Sequence, residues 1–277
     1  MGVLYVVPTP IGNLADVSPR VRDTLAQADF VACEDTRVGG KLLALLGMKK
    51  SMVPYHEHNK KQCGAEILRR LTEGASCALI TDAGTPAISD PGEDLVRLCH
   101  ENGVTVIPLA GPCAAVTAVS ASGLPCRKFC FEGFLPENKN ERLARLREIA
   151  RDERATVFYS PPHDLKRVLD SLLTAFGDRR ATLCKELTKL NEKVEYSTLS
   201  ALCERVSAEE NVRGEYVIVV EGYTANDADM FWSNMTVEEH VAHYIAEGLS
   251  KMDAMKAAAS DRNVGKGEIY KIMNGGK

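Results

Sequence analysis

Short apolar segments alternate with longer amphipathic segments through the first half of the chain. Residues 3–7, 30–33, 77–81 and 104–109 form apolar runs rich in β-branched side chains. Runs of this kind are typical of strands buried on both faces of a parallel sheet. The intervening segments repeat apolar residues at helical spacing, as Leu95, Leu98 and Cys99 do. The pattern predicts an α/β fold.

A second set of apolar runs follows the break Gly123-Leu-Pro125 and covers residues 129–134, 156–159, 181–184 and 216–220. We therefore predict an N-terminal α/β domain at 1–123 and a second α/β domain at 124–224. A polar linker at 223–229 leads to residues 230–277. There, Thr236-Val-Glu-Glu239 and Ser250-Lys-Met-Asp253 resemble capping boxes, which predicts a small helix-turn-helix-like module.

Three predicted strands run into loops rich in glycine and proline. These loops contain Pro8-Thr-Pro-Ile-Gly-Asn-Leu14, Asp82-Ala-Gly-Thr-Pro86 and Ala110-Gly-Pro-Cys-Ala-Ala115. One such loop usually means only a tight turn. Three in one sheet favour a ligand cleft, because open α/β sheets bind ligands beyond the carboxyl ends of their strands. None matches the dinucleotide or nucleoside triphosphate fingerprints.

Charged residues also follow predicted strands. Glu34-Asp-Thr-Arg37 follows the second strand, where Asp35 or Thr36 is either a helix cap or a catalytic group. Arg37 suits a phosphate, with an ion pair to Glu34 as the alternative. Asp90-Pro91 is interpreted as the N-cap and first residue of the next helix.

Histidine and arginine clusters give weaker signals. His56-Glu-His58 has no third ligand in view, so pocket lining is favoured over zinc. Residues 139–151 contain four arginines and several interspersed acids. A solvated helix laced with ion pairs is the favoured interpretation, and contact with RNA phosphates is the alternative.

Composition narrows the classes of protein. The 277 residues carry a net charge of −4, so any RNA partner must meet a local basic patch. Nine cysteines without a C-x-x-C pair indicate small buried residues in a reducing compartment. Apolar stretches are too short for a membrane span and no signal segment is evident. We expect a cytoplasmic protein without a membrane partner.

The loops together resemble the ribosomal small-subunit RNA methyltransferase I family, a branch of the tetrapyrrole methylase superfamily. The matching segments are Val7-Pro-Thr-Pro-Ile-Gly-Asn-Leu14, Cys33-Glu-Asp-Thr-Arg37, His56-Glu-His-Asn59, Thr81-Asp-Ala-Gly-Thr-Pro86, Ser89-Asp-Pro-Gly92, Gly111-Pro-Cys-Ala-Ala115, Glu132-Gly-Phe-Leu-Pro136, Lys185-Glu-Leu-Thr-Lys189 and Gly214-Glu215. The resemblance implies methyl transfer from S-adenosylmethionine to the 2′-hydroxyl of a decoding-centre cytidine in 16S rRNA of the 30S subunit. It also implies a cofactor cleft between the two α/β domains of a homodimer.

Site residues are expected on these motifs. Cofactor binding is expected at Pro10, Gly12, Asn13, Asp82, Ala83, Gly84, Thr85, Pro86, Gly111, Pro112, Ala114 and Ala115. RNA binding is expected at Arg37, His56, Lys185, Glu186 and Lys189. A ribose hydroxyl needs a base, for which Glu34, Asp35 and His58 are candidates. No metal is expected. The chain departs from the family at Phe158-Tyr-Ser-Pro-Pro-His-Asp164, so Ser160 and Asp164 are left out of the site.

Two alternatives remain at this stage. A methyltransferase of the same superfamily that acts on a tetrapyrrole would need a deep apolar pocket and no basic rim. A non-catalytic RNA-binding or ribosome-assembly factor would leave the three converging loops unexplained. Binding of the cofactor by the purified protein distinguishes the second alternative from an enzyme.

Overall fold

The computed structural model describes residues 1–224, 232–262 and 264–273. Contacts divide the chain into two compact units, Met1–Tyr223 and Thr224–Lys277. The first unit holds two five-stranded sheets. Among helices in the described part of the chain, none is long and apolar enough to cross a membrane.

The first sheet is wholly parallel, as predicted. Its strands are β1 (Val3–Val6), β2 (Phe30–Cys33), β3 (Ser51–Pro54), β4 (Cys77–Ile80) and β5 (Thr105–Pro108), in the order β3-β2-β4-β1-β5. Its helices are α1 (Pro19–Gln27), α2 (Thr36–Leu45), α3 (Lys60–Thr72), α4 (Glu93–Glu101) and α5 (Ala114–Ala121). A 3-10 turn, Leu14–Asp16, precedes α1. Every side chain of β2 and β4 is buried, which explains their unbroken apolar sequence.

The second sheet is mixed. Its strands are β6 (Phe129–Phe134), β7 (Ala155–Ser160), β8 (Arg180–Lys185), β9 (Lys193–Thr198) and β10 (Tyr216–Val220), in the order β6-β7-β10-β8-β9. Only β6 and β7 pair in parallel, and the other pairs are antiparallel. Its helices are α6 (Lys139–Ile149), α7 (Leu165–Phe176) and α8 (Leu199–Ala208). The two sheets and their helices confirm the predicted α/β class, whereas the domain limits at 123 and 224 stay a prediction.

One apolar core joins the two sheets of the first unit. Ala115 and Ala118 of α5 pack with Val157 of β7 and Val217 of β10 in a single buried cluster. The small residues of α5 let this helix lie close to the second sheet. The carboxyl ends of the first sheet therefore face the second sheet.

The start of α4 corrects one prediction. The helix begins at Glu93, and Gly92 with φ 148° precedes it without any side-chain cap, so Asp90-Pro91 is not its cap. Ala87 and Ser89 take φ values of 65° and 64°, which turn the chain before the helix starts. The Asp90 side chain faces a cavity instead.

The second unit contains α9 (Val237–Ala246), α10 (Lys251–Asp261) and α11 (Lys266–Met273). Thr236 and Glu239 form the predicted capping box, and Ser250 caps α10. Buried His240 is stacked on Trp232 and accepts a hydrogen bond at Nδ1 from Arg262. Burial lowers the pKa of His240, which fits a structural imidazole. Most of the predicted linker, together with positions 230–231, 263 and 274–277, lies outside the described residues.

Candidate active site

A cavity of about 270 Å³ lies between the ends of the two sheets. Its lining comes from both layers: Ile11, Asp82, Ala83, Gly84, Thr85, Ile88, Ser89, Asp90, Cys113, Ala114, Phe134, Tyr159, Ser160, Pro161, Cys184, Leu187, Lys189, Glu215, Tyr216 and Val217. Its size is near the lower end of the range for small-molecule sites. Five of the predicted cofactor residues, Asp82 to Thr85 and Ala114, line it directly.

The three glycine and proline loops are bonded to one another. Thr9 and Gly84 exchange two backbone hydrogen bonds, at 2.8 and 3.1 Å. The Thr85 hydroxyl donates to the Pro112 carbonyl at 2.9 Å, which ties the loop after β4 to the loop after β5. The wall of the cavity is therefore a single connected backbone surface.

Close packing explains the glycine at position 111. A Cβ added to Gly111 would lie 2.2 Å from Cγ of Pro8, so the loops after β1 and β5 approach too closely for any side chain. Gly84 has φ +87°, a left-handed conformation that favours glycine. The other predicted cofactor residues, Pro10, Gly12, Asn13, Pro86, Gly111, Pro112 and Ala115, belong to the same loops without lining the cavity.

Tyr159 ties the second sheet to the first at this cavity. Its hydroxyl accepts a hydrogen bond of 3.0 Å from the Ala115 amide, which is therefore engaged within the protein. Phe131 and Phe134 contact its ring edge to face. Burial raises the pKa of Tyr159 to about 12, so the phenol stays protonated. Sequence reasoning missed this residue, because its partner lies on a distant helix.

Lys189 crosses from the second sheet toward the loop after β1. Its Nζ contacts Glu186 and Glu215, each at 2.8 Å. A Cβ on Gly12 would lie 2.3 Å from Cγ of Lys189. The ion pair with Lys189 lowers the pKa of Glu186. Lys185 lies at the end of β8, next to this network.

Backbone strain is concentrated in the two loops that border the cavity. Among the described residues, the non-glycine residues with positive φ are Ala87, Ser89, Glu186 and Thr188, with φ between 50° and 65°. Ser89 lines the cavity, and the others lie within two residues of a lining residue. Strained residues persist where the surroundings over-determine them, and they cluster at ligand sites.

The carboxyl groups of Glu34, Asp82 and Asp90 lie close together at the carboxyl ends of β2 and β4. Asp82 accepts a hydrogen bond from the Asp35 amide at 3.3 Å. Burial, and next the charge of Asp82, raise the pKa of Glu34. Burial, and next the charge of Glu34, raise the pKa of Asp90 to about 6. Glu34 was a predicted base, whereas Asp90 was missed because the Asp-Pro sequence looked like a helix cap.

Asp35 and Arg37 form a local pair. The Asp35 carboxylate accepts a 2.8 Å hydrogen bond from the Arg37 amide at the start of α2, which makes it the cap. Its Oδ2 also lies 2.6 Å from Nη2 of Arg37, so the ion pair of Arg37 forms with Asp35 and not with Glu34, the partner that the alternative interpretation named. Hydrogen bonding to Arg37 lowers the pKa of Asp35 to about 2. A carboxylate held this firmly is a weak base.

The two histidines lie beside the cavity rather than in its lining. The His56 amide donates to Asn59 Oδ1 at 2.8 Å, and the rings of His56 and His58 meet edge to face at 6.1 Å. The Nδ1 atom of His56 is buried and lacks a partner among the described residues. The His58 side chain is exposed. Within the described ranges, no group of three or more His, Cys, Asp or Glu residues is placed to hold a metal.

Most arginine side chains of α6 form hydrogen bonds or ion pairs with other groups of the protein. Arg142 is 3% exposed and donates to Ser171 and to the carbonyls of Pro136 and Glu137. Arg145 binds both carboxylate oxygens of Glu132 at 2.8 Å. These contacts favour the structural interpretation of the basic run over an RNA patch.

Comparison with known proteins identifies the class. A sequence model described as Tetrapyrrole (Corrin/Porphyrin) Methylases matches residues 3–203. The methyltransferase CobJ superposes with a TM-score of 0.61 at 20% identity, over 82% of this chain and 98% of its own. Diphthine synthase superposes with a TM-score of 0.60 at 15% identity, over 82% of this chain and 93% of its own. At these identities the structures show a shared fold.

Closer relatives narrow the class further. The chain is 43% identical to Ribosomal RNA small subunit methyltransferase I of Halalkalibacterium halodurans, over 99% of this chain and 95% of the relative. It is 42% identical to the protein of the same name from Bacillus subtilis, over 98% and 93%. The chain therefore belongs to the tetrapyrrole methylase family, in the branch named ribosomal RNA small subunit methyltransferase I.

Proposed function

We propose that this protein transfers a methyl group from S-adenosylmethionine to the ribose 2′-hydroxyl of a decoding-centre cytidine in 16S rRNA of the small ribosomal subunit. The observation that carries the proposal is the near full-length similarity to relatives named for methylation of that RNA. The cleft at the carboxyl ends of the first sheet supports it, because ligands bind there in open α/β sheets. The proposed compartment is the cytoplasm.

The cavity suits the proposed donor. S-adenosylmethionine supplies an electrophilic methyl group on a positively charged sulfur. Ala83, Gly84 and Ala114 give the wall small side chains, so a ligand can contact the backbone. Asp82 lines the same cavity and favours a cationic ligand. The loops 82–85 and 111–114 would hold the donor chiefly through backbone groups.

The protein's own contribution to rate would be alignment and proton removal. An in-line displacement gains much of its acceleration from holding donor and acceptor in register. The connected loops supply a rigid frame for this purpose, as Thr85 shows by its bond to Pro112. On the acceptor side, Lys185 and the exposed Arg37 side chain offer positive charge to RNA phosphates, whereas Lys189 is paired with Glu186 and Glu215.

Labelled S-adenosylmethionine tests the proposal. We expect the protein to label 30S subunits or 16S rRNA from cells that lack the enzyme, and digestion to release one 2′-O-methylcytidine. A matched sample of already methylated subunits should take up no label. Label on a corrin or porphyrin precursor, with none on RNA, would contradict the proposal and favour a tetrapyrrole substrate. A protein that neither binds the donor nor labels any acceptor would favour a non-catalytic RNA-binding factor.

We also propose that the protein is a homodimer. The edge strand β9 exposes apolar side chains, with Tyr196 51% and Val194 39% exposed, and Leu190 just before it is 99% exposed. Open edges with apolar side chains favour association.

Leu190→Glu tests this surface. We expect light scattering to give twice the chain mass of 30.2 kDa for the wild type and a lower average for Leu190→Glu. The control is Leu45→Glu, on α2, where leucine is 61% exposed. A monomeric wild type, or equal dissociation of both variants, would count against this surface.

A further inference from the structure

Asp90 lines the cavity although it does not directly follow a strand. It lies in the turn between β4 and α4, between Ser89 at φ 64° and Gly92 at φ 148°. The turn directs its carboxylate into the cavity, where it is partly buried. It does not cap α4, so its orientation has no explanation in the local structure.

The groups that face Asp90 come from three elements. Glu34 follows β2, Asp82 follows β4, and the Tyr159 phenol comes from β7. Lys189 and Glu215 line the same cavity, but the Lys189 ammonium is paired with Glu186 and Glu215, and among the described residues no lysine or arginine shifts the pKa of Asp90. A carboxylate partly removed from water and set beside two further acids is costly to ionise. Carboxyl groups whose pKa is perturbed in this way cluster at functional sites.

The Thr81 side chain is a second, independent observation. Thr81 is 3% exposed, and its hydroxyl has no hydrogen-bond partner of normal geometry among the described residues. The hydroxyl lies beside both Glu34 and Asp90. The hydroxyl lowers the pKa of both carboxyl groups by hydrogen bonding, so it can donate to whichever of the two is ionised.

We propose that Asp90 is the base that accepts the proton of the acceptor hydroxyl, with Glu34 and Thr81 as positioning residues. This inference rests on the proposed methyl transfer. The hydroxyl proton passes to an Asp90 oxygen while the acceptor oxygen bonds to the methyl carbon. The carbon–sulfur bond breaks, and its electron pair stays on sulfur.

The ionisation of Asp90 suits this role. A base works best when its pKa lies near the working pH. With a pKa of about 6, Asp90 is ionised at neutral pH yet binds a proton better than Asp35, whose pKa is about 2. We therefore expect the rate to rise with pH up to about 6 and to level off above it.

Asp90→Asn tests the base in the full-length protein. Under saturating RNA and donor, we expect the rate of methylation to fall at least about 100-fold. Binding of S-adenosylhomocysteine, measured by calorimetry, should stay within about threefold of wild type. Glu93→Gln, an exposed acid at the start of α4, is the matched control and should keep the wild-type rate.

Thr81→Val separates positioning from packing, because valine keeps the shape and removes the hydroxyl. The nearby hydroxyl lowers the pKa of Asp90. Its loss should move the acid limb of the pH–rate profile to higher pH. A profile identical to wild type would contradict the role given to Thr81.

Thermal unfolding gives a readout apart from activity. The native pKa of Asp90 is raised, so its contribution to stability is present at low pH and lost as pH rises from about 4 to about 6. Asp90→Asn should therefore raise the Tm at pH 8 relative to wild type, and less at pH 4. A purely structural Asp90 would give a lower Tm at both values.

The outcomes separate the two proposals. If wild type labels RNA and Asp90→Asn keeps more than about a tenth of the rate with an unchanged pH profile, the base role is overturned and the methyl transfer stands. If wild type labels no RNA, both fall, and this is recognised without any mutation. A large loss of rate with donor-site binding kept and a raised Tm at pH 8 supports the inference.

Discussion

Gly111→Ala is expected to lower the affinity for S-adenosylmethionine at least about 100-fold, because displacements of about 1 Å have effects of this size. The new Cβ would lie 2.2 Å from Cγ and 2.8 Å from Cβ of Pro8. The proline ring cannot rotate away, so the loops after β1 and β5 must separate. The bond from Thr85 to Pro112 passes that shift to the loop after β4. Calorimetry with the donor measures the effect.

The control for this prediction is Gly267→Ala in α11, where an added Cβ meets nothing within 4 Å and the backbone needs no positive φ. Its affinity should equal that of wild type. Overpacking at Gly111 also costs about 1–3 kcal/mol of stability, which urea unfolding checks. If Gly111→Ala is folded and binds the donor within about threefold of wild type, the three connected loops do not form the donor site.

The sequence predicts the central strands β2 and β4 of the first sheet well because all of their side chains are buried. Residues 77–81 were predicted as a strand, and β4 spans Cys77–Ile80. A strand covered on both faces must be apolar at every position, so its ends are marked by the first glycine, proline or acid. The loops that carry the candidate site begin at those same positions. Their convergence follows from the parallel order of the strands.

The contacts across the cleft could not be predicted in the same way. Tyr159 belongs to an apolar strand pattern, and only the packing of α5 on β7 brings its hydroxyl to the Ala115 amide. For Asp90 the local sequence was misleading, because Asp-Pro is a common start of a helix and suggested a helix cap. Positive φ values at Ala87 and Ser89 redirect the chain there, and such strain has no signature in alanine or serine.

Charge runs are ambiguous for a related reason. A sequence shows how many arginines a helix carries, but their burial depends on what packs above them. In α6, Arg142 faces α7 and donates to Ser171 at 3.0 Å, whereas Arg147 is exposed. One helix therefore contains both a structural arginine and a surface arginine, five residues apart in the same basic run.

Arg142→Met is expected to lower the free energy of unfolding by about 2–4 kcal/mol. Methionine keeps much of the buried volume but removes the donors to Ser171 and to the Pro136 carbonyl, each at 3.0 Å, whereas the Glu137 carbonyl keeps a second donor, Arg167. Each buried acceptor left without a donor costs about 1–3 kcal/mol. Urea unfolding followed by circular dichroism measures the loss.

Arg147→Met provides the contrast on the same helix, because its side chain is exposed and its loss should change stability by less than about 0.5 kcal/mol. Affinity for 16S rRNA across a salt series then separates the two interpretations of α6. If the helix is structural, both folded variants bind RNA with the wild-type salt dependence. A smaller salt slope for Arg147→Met would instead mean that α6 meets phosphates, since each lost phosphate contact reduces that slope by about one.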